Sequence, residues 1–247
     1  FAFGLLIVGI GGAFVQQYRF AAADNAPAGL KAQAISWVLI GGIFAAIIGP
    51  QTVIFTRDFF EPVLFAGAYA ALIGLSLIGF AILSFLRVHE NTVLLEHEVE
   101  EPARPLMEIV TQQRFITALA CGVTSFALMS FMMTGAPLAM IGCGFSTDIA
   151  TLGIQWHVLA MFGPSFFTGK LIARFGRETI VATGLSLLIA CAFVASLGIE
   201  LWNFWFALVL LGVGWNFGFI GATAMVTSTY RSSEKNKVQG VHDVILF

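Results

Sequence analysis

Six side chains in this sequence are polar or amphipathic groups set inside long apolar runs: Gln16, Arg19, Gln155, His157, Trp215 and Asn216. A polar group buried in lipid is costly, which marks each as a candidate for binding. Gln16 and Arg19 are three apart and share one helix face. That face suits an anionic or polar group of a ligand, or one side of an inner gate. The competing reading is an arginine that snorkels to lipid phosphate. His157 suits a ligand contact or a proton relay, against a hydrogen bond to a neighbouring helix. Its face carries Gly153, Ala160, Met161 and Pro164, a small-residue stripe that fits helix contact. Gln155 is two residues away and points to nearly the opposite side, so the two do not line one cavity. Trp215 offers a flat face for stacking, and Asn216 stands beside it after Gly212 and Gly214, which let backbones approach. The alternative for this pair is a packed indole and an inter-helix hydrogen bond.

Other constellations carry no chemistry. Glu96, Glu98, Glu100, Glu101 and Glu108 lie in a polar segment with little apolar content to shape a pocket, and read as a solvated charge run. No HExxH, GxSxG or Walker pattern is present, so an enzyme is not expected. Cys121, Cys143 and Cys191 are far apart in or beside apolar runs and show no metal spacing. No metal and no cofactor is expected. No paired carboxylates and no midplane acid stand out within the apolar runs.

The elements that position these residues follow from composition. The chain has 247 residues, 58% hydrophobic and 11% charged, with a net charge of −2. A soluble domain carries about 25% charge, so lipid is the expected solvent for most of this one. Apolar runs cover about 1–23, 33–55, 62–86, 114–141, 148–173, 178–198 and 202–225, with a further start near Val238. Each is close to the roughly 20 residues that cross a bilayer. Phe1 already lies inside a run and Phe247 at the start of another, so the sequence reads as a piece of a longer chain. Gly163-Pro164 and Gly135–Pro137 are expected to bend their helices.

Lys and Arg set the orientation. Arg19, Lys31, Arg87, Arg104, Arg114, Lys170, Arg174, Arg177, Arg231, Lys235 and Lys237 fall in or beside alternate loops, and the opposite loops hold only Arg57. The positive-inside rule then makes the loops around 24–32, 87–113, 170–178 and 226–238 cytoplasmic. Phe59, Phe60, Phe145, Trp202, Phe204 and Trp205 sit at the other ends, where aromatic rings favour the interface.

An internal repeat is visible. Leu5–Phe14, LLIVGIGGAF, resembles Leu208–Phe217, LVLLGVGWNF, and Lys31-Ala-Gln33 resembles Lys237-Val-Gln239 in the same order. Two halves in parallel repeat joined by a long linker is a recurring transporter plan. The chain resembles the major facilitator superfamily of secondary transporters over essentially its whole length. Gly169–Arg177, GKLIARFGR, is similar to the family's loop between the eighth and ninth helices, GxxxDRxGR, with Ala173 where an Asp is usual. Leu5–Ala13 resembles the fourth-helix pattern RxxQGxGxA, with Leu5 where the Arg of antiporters stands. Gly41–Pro50 is a partial match to the fifth-helix antiporter motif and reads as a packing motif.

The resemblance implies an all-α membrane protein of two six-helix bundles, here incomplete: the fourth helix to the start of the eleventh. It implies residues 1–86 as the rest of the N-terminal bundle, 87–113 as a central cytoplasmic linker and 114–247 as a truncated C-terminal bundle. It implies a secondary transporter of a small organic solute in a bacterial inner membrane, working by alternating access. Its inner side would be gated through Gly169, Arg174, Gly176 and Arg177. Tyr18–Asp24 and Gln155–Gly169 look similar to bacterial transporters that include vitamin carriers of the riboflavin type, which suggests uptake of a flat heteroaromatic solute. Efflux of a drug or metabolite competes with uptake. A receptor or scaffold without transport is the alternative of another class. Coupling to a proton, to another ion, or to none stays open.

Overall fold

The computed structural model describes residues 2–63, 65–85 and 102–247; the side chains of residues 2, 3, 5–8, 10, 13, 16 and 28 fall outside that description. Arg87 and Glu96, Glu98, Glu100 and Glu101 also lie outside the described residues, as does most of the expected linker.

The described residues form ten α-helices and no strand: α1 (Ala2–Asp24), α2 (Lys31–Thr56), α3 (Ala66–Ser84), α4 (Leu106–Val110), α5 (Gln113–Gly142), α6 (Thr147–Phe162), α7 (Ser165–Phe175), α8 (Arg177–Ser196), α9 (Leu201–Val226) and α10 (Lys235–Leu246). Five of them, α2, α3, α5, α8 and α9, are long and apolar enough to cross a membrane.

The run at 148–173 is interrupted at Gly163-Pro164, where both residues keep right-handed helical angles, so that α6 and α7 meet at the bend expected there. Ser146 caps α6 by accepting from the Ile149 N–H. At the other end Pro164 brings no N–H and a ring that displaces the preceding turn, so α6 stops at Phe162 and α7 restarts at Ser165. Pro50 and Pro137 stay inside α2 and α5, which run on through them. Gly176, at φ +88°, separates α7 from α8 in a conformation open to glycine.

Two compact units can be distinguished. One comprises 44–99, with the second half of α2, the turn after it, and α3. In it Gly67 packs so closely on the Thr56 carbonyl that no larger residue fits. Phe44, Phe55, Phe59, Phe60, Tyr69 and Phe80 are exposed, as lipid-facing rings are.

The other comprises 1–43 and 100–247. Its core is α9, which is buried almost continuously from Gly218 to Val226 and packs against α5, α6, α7 and α8. Glycine makes this possible. A Cβ on Gly184 of α8 would lie 2.4 Å from the Gly218 nitrogen, and one on Gly212 2.6 Å from the His157 carbonyl of α6. Backbones thus meet directly, the close packing that membrane helices use in place of a hydrophobic drive. The last turns of α1 join the same core, with Phe20 beside Phe115, Val181 and Val226, and Ala23 beside Ile35, Ile172 and Ile220.

Candidate functional site

The sequence candidates separate into two clusters around α9. The first is built on Arg19. Its side chain is 2% exposed. Nη2 donates to Asp243 Oδ1 of α10 at 2.8 Å, and Gln17 Nε2 donates to Oδ2 of the same carboxylate. His242 Nδ1 lies 2.8 Å from Asp243 Oδ1. The guanidinium carbon sits 4.5 Å from the Phe219 ring centre, 4.8 Å from Phe20 and 5.4 Å from Phe247. Three aromatic faces and one carboxylate thus compensate a cation withdrawn from water. Trp215 stacks on Phe219 at 4.5 Å and 17°, and Phe162 meets the indole edge to face. Arg19 Nε and Nη1, Trp215 Nε1 and His242 Nε2 have no acceptor among the described residues.

Arg19 therefore points inward to α10 and does not snorkel. Its neighbour on the face predicted from sequence, Gln16, has a side chain outside the described residues. Gln17, one position on, reaches Asp243 instead. Asp243 and His242 are the residues that sequence reasoning missed. The only signal was an acid one turn into an apolar start, VHDVILF.

The second cluster is built on Asn216. Its amide nitrogen donates to the Met161 carbonyl and to Ser165 Oγ, both at 2.7 Å, and its Oδ1 accepts from Thr168 Oγ1 at 2.6 Å. These partners lie on both sides of the Gly163-Pro164 break, so Asn216 straps α6 and α7 to α9. Both of its N–H donors are spent there. His157 is fully buried and Nδ1 lies 2.9 Å from the Leu208 carbonyl of α9. That contact is the inter-helix bond raised above as the alternative to a ligand. Gln155, two positions before His157 on α6, is half-buried. The structure thus brings Arg19 and Trp215 together through Phe219 and places Asn216 and His157 as ties between helices.

The residues proposed for a gate lie at the end of the molecule that carries the basic turns. A Cβ on Gly169 would lie 2.6 Å from Gln33 Cα, so α7 rests directly on the start of α2. Nearby, Asp24 at the end of α1 accepts from Gln239 Nε2 of α10 at 2.9 Å and from the Tyr230 hydroxyl at 3.4 Å. Burial pushes the Tyr230 hydroxyl up, which keeps it a donor. Arg174 is exposed and stacks on Phe175. Gly176 and Arg177 line a cavity of about 330 Å³ with Lys31, Arg114, Ala173 and Glu178.

Just beyond, the turn after α9 is tied to the segment before α4. Glu234, 1% exposed in its side chain, receives the Arg104 Nε, Nη2 and backbone N–H at 2.7–2.9 Å, and also the Arg231 N–H. The Arg104 guanidinium, above all, and these backbone donors hold the Glu234 carboxyl down at about 2. Among the described residues no group of three or more His, Cys, Asp and Glu is placed to hold a metal ion.

The sequence model of the Major Facilitator Superfamily matches residues 1–246. This chain belongs to the major facilitator superfamily. It is similar over its whole length, at 51% identity, to the riboflavin transporter RfnT of Brucella anthropi, and covers 62% of that protein. It is 29% and 31% identical to two uncharacterised MFS-type transporters of Bacillus subtilis, YddS and YdeG, over 98% of its length and 59% of theirs. The chain thus spans about three-fifths of the length of these relatives. No solved structure matches it. Family membership and the apolar helices make it a multi-pass membrane protein.

Proposed function

We propose that this chain is part of a secondary transporter that carries a small flat heteroaromatic solute of the riboflavin type across a bacterial inner membrane by alternating access. The observation that carries the reading is the buried Arg19–Asp243 pair, set among aromatic rings in a family member half identical to a riboflavin transporter. An ion pair between α1 and α10 holds well only when both charges are shielded, and breaking it is costly. It is therefore suited to a gate that opens when one partner is neutralised or re-paired.

In this reading Arg19–Asp243, Asp24–Gln239 and the Gly169–Gln33 contact are three points at which the basic end closes. Gly169, Arg174, Gly176 and Arg177 act there, on the cytoplasmic side. Trp215 supplies the face on which a flat ring stacks, and Phe219, covered by Trp215 on one side and Arg19 on the other, holds those two groups together. Arg19 and Trp215 supply donors to ring carbonyls and nitrogens, which suits an acceptor-rich heterocycle. His157 and Asn216 hold the helices that frame this face.

Counterflow of labelled riboflavin in proteoliposomes of the intact protein tests this. Wild type should exchange label, Arg19→Ala should lose exchange, and His157→Ala should reduce it. Absence of exchange by wild type overturns the function; wild-type exchange by both variants overturns the site.

A further inference from the structure

The cavity at the basic end has a charge pattern that gating alone does not need. Three cations line it: Lys31 at the start of α2, Arg114 at the start of α5 and Arg177 at the start of α8. One carboxylate lines it too, Glu178, which takes the Arg114 Nη2 at 3.0 Å. That pair is more than half exposed and gains little from pairing. Lys31 and Arg177 have no ion-pair partner among the described residues and are half-buried. The N-terminal ends of α5 and α8 add partial positive charge, and neither helix has a side-chain cap to use up its free N–H groups. Ala173 forms part of the wall, where an acidic side chain would have neutralised these cations. The volume, about 330 Å³, is at the small end of ligand sites.

We propose that this cavity binds a phosphate group, presented by the headgroup of an anionic lipid or by a soluble phosphate. Lys31 and Arg177 neutralise it, and the first N–H groups of α8 complete its hydrogen bonds. Since Lys31 heads α2 while Arg177 heads α8, the bound group bridges the two sides of the Gly169–Gln33 contact and favours its closed arrangement. The proposal holds whatever the solute is.

Two measurements on the purified intact protein test it. Native mass spectrometry compares retention of phosphatidylglycerol with that of diacylglycerol, which lacks the phosphate. The shift of Tm by inorganic phosphate, against chloride at equal ionic strength, is measured after delipidation. Retention of phosphatidylglycerol alone assigns the site to a headgroup. A Tm shift by inorganic phosphate alone assigns it to a soluble ligand, and both together support a phosphate from either source. Lys31→Gln and Arg177→Gln should each weaken the response by roughly fivefold. Ala173→Asp should also weaken it, and Glu178→Gln, at an exposed position, should strengthen it. No response from wild type, or responses indifferent to all four substitutions, overturns the proposal.

Discussion

Arg19 and Asp243 are 224 residues apart in the chain, yet their side chains meet at 2.8 Å with the arginine almost wholly shielded. The contact joins α1, near one end of the sequence, to α10, near the other. Removing one partner strands a charge. Asp243→Asn should therefore destabilise the intact protein by about 3–5 kcal/mol and lower its Tm. The double replacement Arg19→Met with Asp243→Leu should recover most of that stability while solute exchange stays lost. If the double variant transports normally, the pair is only structural.

The Gly169–Gln33 contact leaves no room for a methyl group. Gly169→Ala should cost the closed arrangement about 1–3 kcal/mol, a factor of roughly 5–150 in its population. Accessibility of a cysteine placed at Ser36 to a soluble maleimide reads this out. Labelling should quicken in the variant; an unchanged rate would show that α7 and α2 do not part.

Glu234 links stability to acid. Its folded value of about 2 lies below the ordinary 4.5, so the carboxylate binds fewer protons folded than unfolded. The stabilisation is complete above pH 4.5 and is lost as pH falls from there towards 2. Tm of the wild type should drop over that window. Glu234→Gln should start lower and show a flatter slope; parallel curves would place the acid sensitivity elsewhere.

Asn216 is the strap across the break in α6–α7. Asn216→Leu removes three hydrogen bonds and leaves the Met161 carbonyl and the Ser165 hydroxyl without it, a loss of about 1–3 kcal/mol. Tm should fall accordingly. Asn216→Gln has a longer reach and should not restore it.

Sidedness can be tested by labelling. Cysteines at Lys170 and at Arg104 should react from the same face of oriented vesicles. Reaction from opposite faces would end the two-bundle carrier.

Much of the helical plan was legible in the sequence because apolar length is a local property. The runs read at 114–141, 178–198 and 202–225 differ from α5, α8 and α9 by a residue or two at each end. The run at 148–173 is interrupted at the Gly-Pro pair that the sequence marks as a bend, with both residues at right-handed helical angles. Pro137 shows the opposite outcome within α5. In the site, Arg19 and Trp215 were visible as amphipathic groups in greasy surroundings, but what they touch was not. Asp243 was not singled out in the sequence, and its partner lies 224 residues away in α1. Glu234 was likewise not singled out, although it is the buried anchor for Arg104. Long-range pairing has no local signature.

The glycine seam between α8 and α9 has a mechanical corollary. With Gly184 seated against Gly214 and Gly218, nothing soft separates the two backbones. These two helices should behave as one stiff plank. Whatever rocking the molecule performs would then be taken up where α1 meets α10 and α2 meets α7, and not inside the plank itself.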